Sequence, residues 1–287
     1  MKTTHAQHSV IQKGLLPVFC ICLACLVTCC SLFSACTSFF GLEDPEPEYI
    51  SPYNWEDLVQ ENGRFTYSVD GKPSSHFGVD VSEHQGVINW QAVADDGVEF
   101  ALIRIGNRGA TEGQLYVDKY FEANLAGAKE AGILTGVYFF SQAINEEEAQ
   151  EEAQFVLKHL ANKTLDYPIA FDHEPVATAT EGRANRLSGK QVSLCAEAFC
   201  QTIEAAGYET MLYGNRTDIL RLDETLLSSH DIWVADYDVP RPTIKHDFTI
   251  WQFTSHGTVA GINTRCDLNI HFLLPEPLVT EEARTAQ

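Results

Sequence analysis

The stretch YPIAFDHEP, residues 167–175, runs from aromatic and apolar side chains straight into Asp172, His173 and Glu174. On a strand, side chains two apart share one face with their Cα atoms about 6.5 Å apart. Asp172 and Glu174 therefore project together, and His173 points the other way, which removes it as a metal ligand beside them. Two carboxyls held that close push one pKa upward, so that one stays protonated near neutral pH. Hydrolysis of a glycosidic bond needs such a pair: one acid gives its proton to the leaving oxygen, and a second group stabilises the positive charge developing at the sugar carbon. Glu174, with the longer reach, is the expected proton donor and Asp172 its partner.

From Phe77 onward, short apolar runs alternate with amphipathic segments: FGVDV (77–81), VEFALIRIG (98–106), ILTGVYFFS (133–141), YPIAFDHE (167–174), YETMLYG (208–214), DIWVADY (231–237) and FTIWQFT (248–254). Asn145 with Glu148 and Ser188 with Gln191 have capping-box spacing, and Gly132 and Gly207 stand where helices stop. Strand, helix, strand in repetition predicts an α/β fold with a parallel sheet covered by helices. Seven or eight strands in about 200 residues predict an irregular (β/α)8-like, TIM-type barrel. The connections between 214 and 270 are too short or too weakly periodic for full helices. Ahead of the barrel, RFTYSVDGKPSSHFGVDVS alternates around Asp70-Gly71 and reads as a hairpin.

In such a barrel the active site lies where strands end in loops. Asp80 falls near the end of the first core strand and Asp172 and Glu174 at the end of the fourth, while Asp267 follows the terminal strand-like stretch. Asp80 alone reads equally as a cap for the turn at Ser82-Glu83. Tyr138, Gln142, Tyr213, Trp233, Tyr237 and Gln252 sit near strand ends, where rings could stack on sugars and amides could bond hydroxyls; core packing is the alternative for each aromatic. Arg104 lies inside an apolar strand, where a charge is costly unless paired. A salt bridge to a barrel acid is preferred there over sugar binding.

The chain has 287 residues, 45% of them hydrophobic, with 19 basic and 40 acidic side chains. The formal charge of −21 opposes nucleic acid and anionic membrane surfaces. Residues 1–40 hold two lysines and no acid around the apolar stretch LLPVFCICLACLVTCCSLFSAC, so without them the charge becomes −23. This segment reads as a signal peptide or membrane anchor. LFSAC is similar to a lipoprotein box ending at Cys36, with Phe33 where an aliphatic residue is usual; an uncleaved anchor and simple secretion are the alternatives. Residues 41–62, acidic and proline-containing, read as a tether whose C-terminal part packs on the domain. Residues 63–275 form the catalytic domain and 276–287 a tail. Six of nine cysteines lie in the signal, leaving Cys195, Cys200 and Cys266, with no zinc-ligand spacing. A disulfide between Cys195 and Cys200 would require their helix to break.

FGVDVSEHQGVINW, FALIRIGNRG, GVYFFSQA, YPIAFDHEP, WVADY and IWQFTSHGTVAGINTRCDLN resemble, in order and spacing, the family 25 glycoside hydrolases, the N-acetylmuramidase lysozymes, over about residues 77–272. The resemblance implies an irregular (β/α) barrel that cuts the β-1,4 bond between N-acetylmuramic acid and N-acetylglucosamine in peptidoglycan, with no cofactor. It carries the DxE motif onto Asp172 and Glu174, the first-strand aspartate onto Asp80 and the C-terminal aspartate onto Asp267. His173 replaces the Trp or other bulky residue common at its position. The family retains anomeric configuration, through a carboxylate nucleophile or through the substrate's own 2-acetamido oxygen oriented by Asp172; the second is favoured, since two acids on one strand do not easily reach the ring's opposite face. The expected partner is the glycan strand, met by an exported monomer that touches membrane only through its N-terminal segment. The rivals are an inactive wall-binding module of the same fold and a barrel glycosidase for another N-acetylated glycan. A chitinase-like barrel would have an aspartate at position 170, where this chain has Ala170.

Overall fold

The computed structural model describes residues 49–176 and 182–273. The expected signal or anchor at 1–40, the start of the expected tether and the expected 276–287 tail lie outside the described residues. Among the described residues no helix is long and apolar enough to cross a membrane.

A small antiparallel sheet comes first: β1 (Leu58–Glu61), β2 (Arg64–Val69) and β3 (Lys72–Pro73). Its turns are Asn62-Gly63, with φ of 52° and 77°, and Asp70-Gly71, with φ of 52° and 73°. Positive φ at both central residues is what a two-residue hairpin turn demands, and these dipeptides tolerate it. The hairpin at Asp70-Gly71 is as expected, but the expected boundary at residue 62 cuts the hairpin before it. That segment folds because Tyr53, Phe65 and Tyr67 are buried against the barrel wall, with Tyr53 4.3 Å from the Phe272 ring and Phe65 4.7 Å from that of Trp251.

Eight strands then close a ring: β4 (Ser75–Val81), β5 (Phe100–Arg108), β7 (Leu134–Phe140), β8 (Ile169–Asp172), β9 (Thr210–Asn215), β10 (Asp231–Ala235), β11 (Ile250–Gly257) and β12 (Cys266–Phe272), with β4 pairing β5 to complete it. A short β6 (Leu115–Val117) extends the rim beside β5. Seven barrel strands are parallel; β12 is antiparallel to both β11 and β4. The all-parallel barrel implied by strand, helix, strand repetition is therefore a mixed one. Only residues 258–265 separate β11 from β12, and a parallel return takes about a dozen residues or more.

Helices α1 (Trp90–Asp95), α2 (Phe121–Glu130), α3 (Glu146–Leu160) and α4 (Gly189–Glu204) cover the first half of the ring, and α5 (Arg216–Leu220) and α6 (Glu224–Ser229) are the short pieces after β9. Asn145 and Ser188 cap α3 and α4 as expected, but neither makes a full capping box: Glu148 reaches the Ile144 N–H and Gln191 reaches Glu146. The reciprocal box is at Ser82 and Gln85, in the loop after β4. Helix α4 is unbroken, and Cys195, Cys200 and Cys266 are free and buried.

Strand alternation splits the core in two. Ala101, Ile103, Val137, Ile169, Phe171 and Leu212 face the helices. Phe100, Leu102, Ala170, Met211, Trp233 and Ile250 fill the barrel interior. Gly78 makes room there, since a Cβ on it would lie 2.3 Å from the Phe100 ring. Gly78→Ala is expected to cost on the order of 1–3 kcal/mol, because overpacking at the barrel floor has no flexible neighbour to yield. Urea denaturation of the two proteins measures it.

Candidate active site

The interior rows begin apolar and end polar. On β5 the row Phe100, Leu102 continues to Arg104; on β8, Ala170 continues to Asp172; on β10 and β11, Trp233 and Ile250 are followed inward by Gln252. Polar ends can stand there because the strands stop and the loops open to water. The antiparallel β12 joins by its beginning rather than its end, which sets Asp267 directly across from Asp80 in the β12–β4 register. Asp80, Asp172, Glu174 and Asp267 thus line one hollow of about 280 Å³, together with Arg104, Tyr138, Tyr213, Trp233, Tyr237 and Gln252.

Asp80 is the most firmly held. Its Oδ1 accepts from Gln252 Nε2 and Asn269 Nδ2, each at 2.8 Å. Gln252 Oε1 accepts from the Tyr213 hydroxyl at 2.8 Å and the Tyr237 hydroxyl at 2.5 Å. Asn269 Oδ1 accepts from Trp233 Nε1 at 2.8 Å. Three aromatic donors therefore fix two amides, and the amides fix one carboxylate. Asp80 does not cap the following turn, which Ser82 caps. The Gln252 carbonyl is fully used inside this network. Gln142, expected to touch sugar, is instead fully buried and does not line the hollow. Its amide donates to the carbonyls of Ser141 and Glu174, both at 2.9 Å, so it grips the chain that carries Glu174. Ser141 is itself anchored to buried Glu152 at 2.6 Å, which Arg108 meets at 2.8 Å.

Arg104 is paired as expected, but with Asp118 at 2.9 Å and Glu83 at 3.1 Å rather than with the four acids of the hollow. The Asp118 carboxylate also accepts the backbone N–H groups of Glu83 and Tyr120, tying the loops after β4 and β6 together. His173 faces outward, its ring 6.2 Å from Phe171.

Burial and like charge set the protonation of the four acids. Burial first, then the charge of Asp267, pushes Asp80 well above the carboxylate range, against the two amide donors. Burial takes Asp267 up to about 6. Asp172 is pushed well up by burial, then by Glu174 and Asp80, with Arg104 opposing. Its Oδ1 is buried without a hydrogen-bond partner. Glu174 is raised to about 7 by burial, then by Asp218 and Asp267. Such a set can lend a proton at neutral pH and accept a hydrogen bond at Asp172.

Comparison with known proteins bears on the fold and the enzyme class. The family model of the glycosyl hydrolases family 25 matches residues 79–262, more than half of the chain. The chain belongs to that family. Lysozyme M1 of Streptomyces globisporus is 30% identical over 206 residues, 67% of this chain and 66% of that protein. The autolytic lysozyme of Clostridium acetobutylicum is 27% identical over 192 residues, 67% of this chain and 54% of that one. The chain thus spans less than two thirds of the length of either curated relative. A solved bacterial lysozyme from Streptomyces coelicolor superposes with a TM-score of 0.56 at 26% identity, covering 70% of this chain and 93% of that structure. Asp80, Asp172 and Glu174 fall inside the residues matched to family 25, and Asp267 falls beyond them, so its membership of the site rests on the β12–β4 pairing.

Asn269, Asp118 and Asp218 were not expected from the sequence. Asn269 stands two residues after Asp267 on the same strand, so the spacing that revealed Asp172 and Glu174 could have revealed it.

Because Glu174 is raised from an ordinary 4.5 to about 7, its protonated form adds stability that is fully present below its unfolded value. That stability is lost as pH climbs through the folded one. Glu174→Gln is therefore expected to be more stable than the parent at pH 8, by on the order of 2 kcal/mol, with the gap closing by about pH 4.5. Thermal unfolding at the two pH values checks the sign.

Proposed function

We propose that the protein is a lysozyme that hydrolyses the β-1,4 bond between N-acetylmuramic acid and N-acetylglucosamine in peptidoglycan with retention of configuration. The observation that carries this reading is the pairing of Asp172 and Glu174 at the mouth of the hollow, both raised by burial, with Asp172 Oδ1 left unpartnered. The names of the two lysozyme relatives support the substrate class.

The chemistry follows from that pair. The N–H of the substrate's 2-acetamido group donates to Asp172, which favours the charged form of Asp172 and leaves the proton on Glu174. As the bond between C1 and the leaving oxygen breaks, Glu174 gives that oxygen its proton. The acetamido oxygen closes onto C1 from the opposite face, forming a bicyclic oxazolinium. Water then attacks C1 from the side the leaving group vacated, its proton passing to the Glu174 carboxylate and its oxygen remaining on C1, while the bond from C1 to the acetamido oxygen breaks and restores the 2-acetamido group, so configuration is retained. Asp80 and Asp267, paired across the β12–β4 ladder beyond this pair, keep negative potential under the developing positive charge. The faces of Tyr138, Tyr213 and Tyr237 offer walls for the sugar rings, whereas Trp233, expected to meet sugar, is buried beneath Tyr138 and Tyr213 and acts through its bond to Asn269.

Glu174→Gln is expected to lower the clearing of muramidase-sensitive cell walls by about 10²–10⁴-fold, the usual loss on removing a general acid. Equal clearing by the two proteins would reject the assignment. Activity of the parent is expected to decline on the alkaline side near pH 7, where Glu174 loses its proton.

We further propose that residues 1–40 export the chain and hold it at the outer face of the cytoplasmic membrane. The charge of −23 remaining on the exported part would then be repelled by anionic wall polymers. Clearing should rise from low to moderate salt as that repulsion is screened; a fall across the whole range would contradict the charge account.

A further inference from the structure

A group of polar residues stands behind Glu174, outside the hollow. In the β8–β9 register Asp172 is opposite Tyr213, and two residues further along each chain stand Glu174, just past β8, and Asn215, the last residue of β9. Asn215 ends β9 and caps α5. Its Oδ1 accepts the N–H groups of Thr217 and Asp218, and its Nδ2 donates to Asp218 Oδ2 at 2.5 Å. Asp218, only 6% exposed, seats over Gly214, where a Cβ would lie 2.9 Å from its own. Arg221 lies 3.6 Å from Asp218 Oδ1 and reaches His173 Nδ1 at 3.1 Å and the His173 carbonyl at 3.5 Å. The α5 turn thus grips the residue between Asp172 and Glu174 with a cation and sets a buried carboxylate beside it.

We infer that Asp218 is a positioning residue for Glu174: held by Asn215 and trimmed by Arg221, its charge sets the pH range over which Glu174 can serve as the acid. This rests on reading Glu174 as the proton donor. The titratable groups facing Glu174 are Asp172 on its own chain segment, Asp267 from β12, Tyr213 from β9, Tyr237 after β10 and Asp218 from α5. All but Asp218 line the hollow, where a bound sugar would shift their protons among them. Asp218 is buried and does not line the hollow, so its charge is expected to act on Glu174 with or without sugar. After burial it is the largest cause of the upward displacement of Glu174. Burial raises Asp218 as well, and Arg221 counters that. His173 adds no charge, because burial and then Arg221 hold it down at about 4; its Nδ1 is thus the acceptor for the guanidinium.

The test is the pH profile of kcat/KM on soluble peptidoglycan fragments for the full chain and three variants. Asp218→Asn removes a negative charge beside Glu174, so the alkaline limb should move to lower pH by about half a unit. Arg221→Met leaves Asp218 unneutralised, so the limb should move up; Arg221→Lys keeps the charge and should leave the limb within about 0.2 unit of the parent. A merely structural role would lower kcat in both charge-removing variants without shifts of opposite sign. If Asp218→Asn does not fold by circular dichroism, the upward shift in Arg221→Met against Arg221→Lys decides the matter alone. An unmoved limb in folded Asp218→Asn, with Glu174→Gln inactive, would overturn this inference and leave the acid assignment intact. An active Glu174→Gln would overturn the assignment itself.

Discussion

Like charges must be held together in a place where water screens them poorly, and the rest of the molecule answers to that constraint. Four carboxyls crowd one end of the barrel, and none of the four is ion-paired to an arginine or lysine among the described residues; Arg104, which lines the hollow, is already committed to Asp118 and Glu83. Such a cluster persists only if protons stand in for counter-ions and if fixed dipoles take up the remaining charge. The chain supplies both. Asp267 holds its proton to about pH 6 and Glu174 to about pH 7, and two amides point their N–H groups at Asp80. Those amides cannot turn, because tyrosine and tryptophan donors occupy their carbonyls.

The antiparallel β12 is the topological expression of the same constraint. A parallel last strand would deliver its end to the rim after a long crossover. A short hairpin return delivers its beginning instead, and Asp267 and Asn269 meet Asp80 across one ladder. Specialised chemistry and local stability then pull against each other: the acids that would make the hollow reactive lower stability as the pH rises. The buried aromatic floor and the Arg108–Glu152 anchor under Ser141 hold the strand ends in place against that repulsion.

Much of this was legible in the linear chain because strand geometry has a period of two. Asp172 and Glu174 stand out as a pair, the apolar runs mark seven of the eight barrel strands, and the weak periodicity after residue 214 reads correctly as a lack of full-length helices, the two found there being five and six residues long. What stayed hidden depends on partners far away in sequence. The Asn269 to Asp80 bond joins residues 189 apart, and the Arg104 partners were an acid after a rim strand and an acid in a capped turn. Gln142 looked like a sugar ligand because it follows a strand end, yet the next turn folds its amide back onto Glu174. The direction of β12 could have been read from the shortness of the 258–265 link, which was taken as irregularity instead. The Asn62-Gly63 turn carried a hairpin signal, but the acids and prolines upstream of it gave the whole stretch the look of a tether.

The central claim is that these four carboxyls form one electrostatic unit whose members hold their protons to higher pH than ordinary carboxyls do. Following their side-chain carboxyl carbons by NMR through a pH titration tests it most directly. The account predicts Glu174 titrating at about 7 and Asp267 at about 6, with Asp80 and Asp172 also above the ordinary carboxylate range. Four independent titrations, all at ordinary carboxylate values, would contradict it.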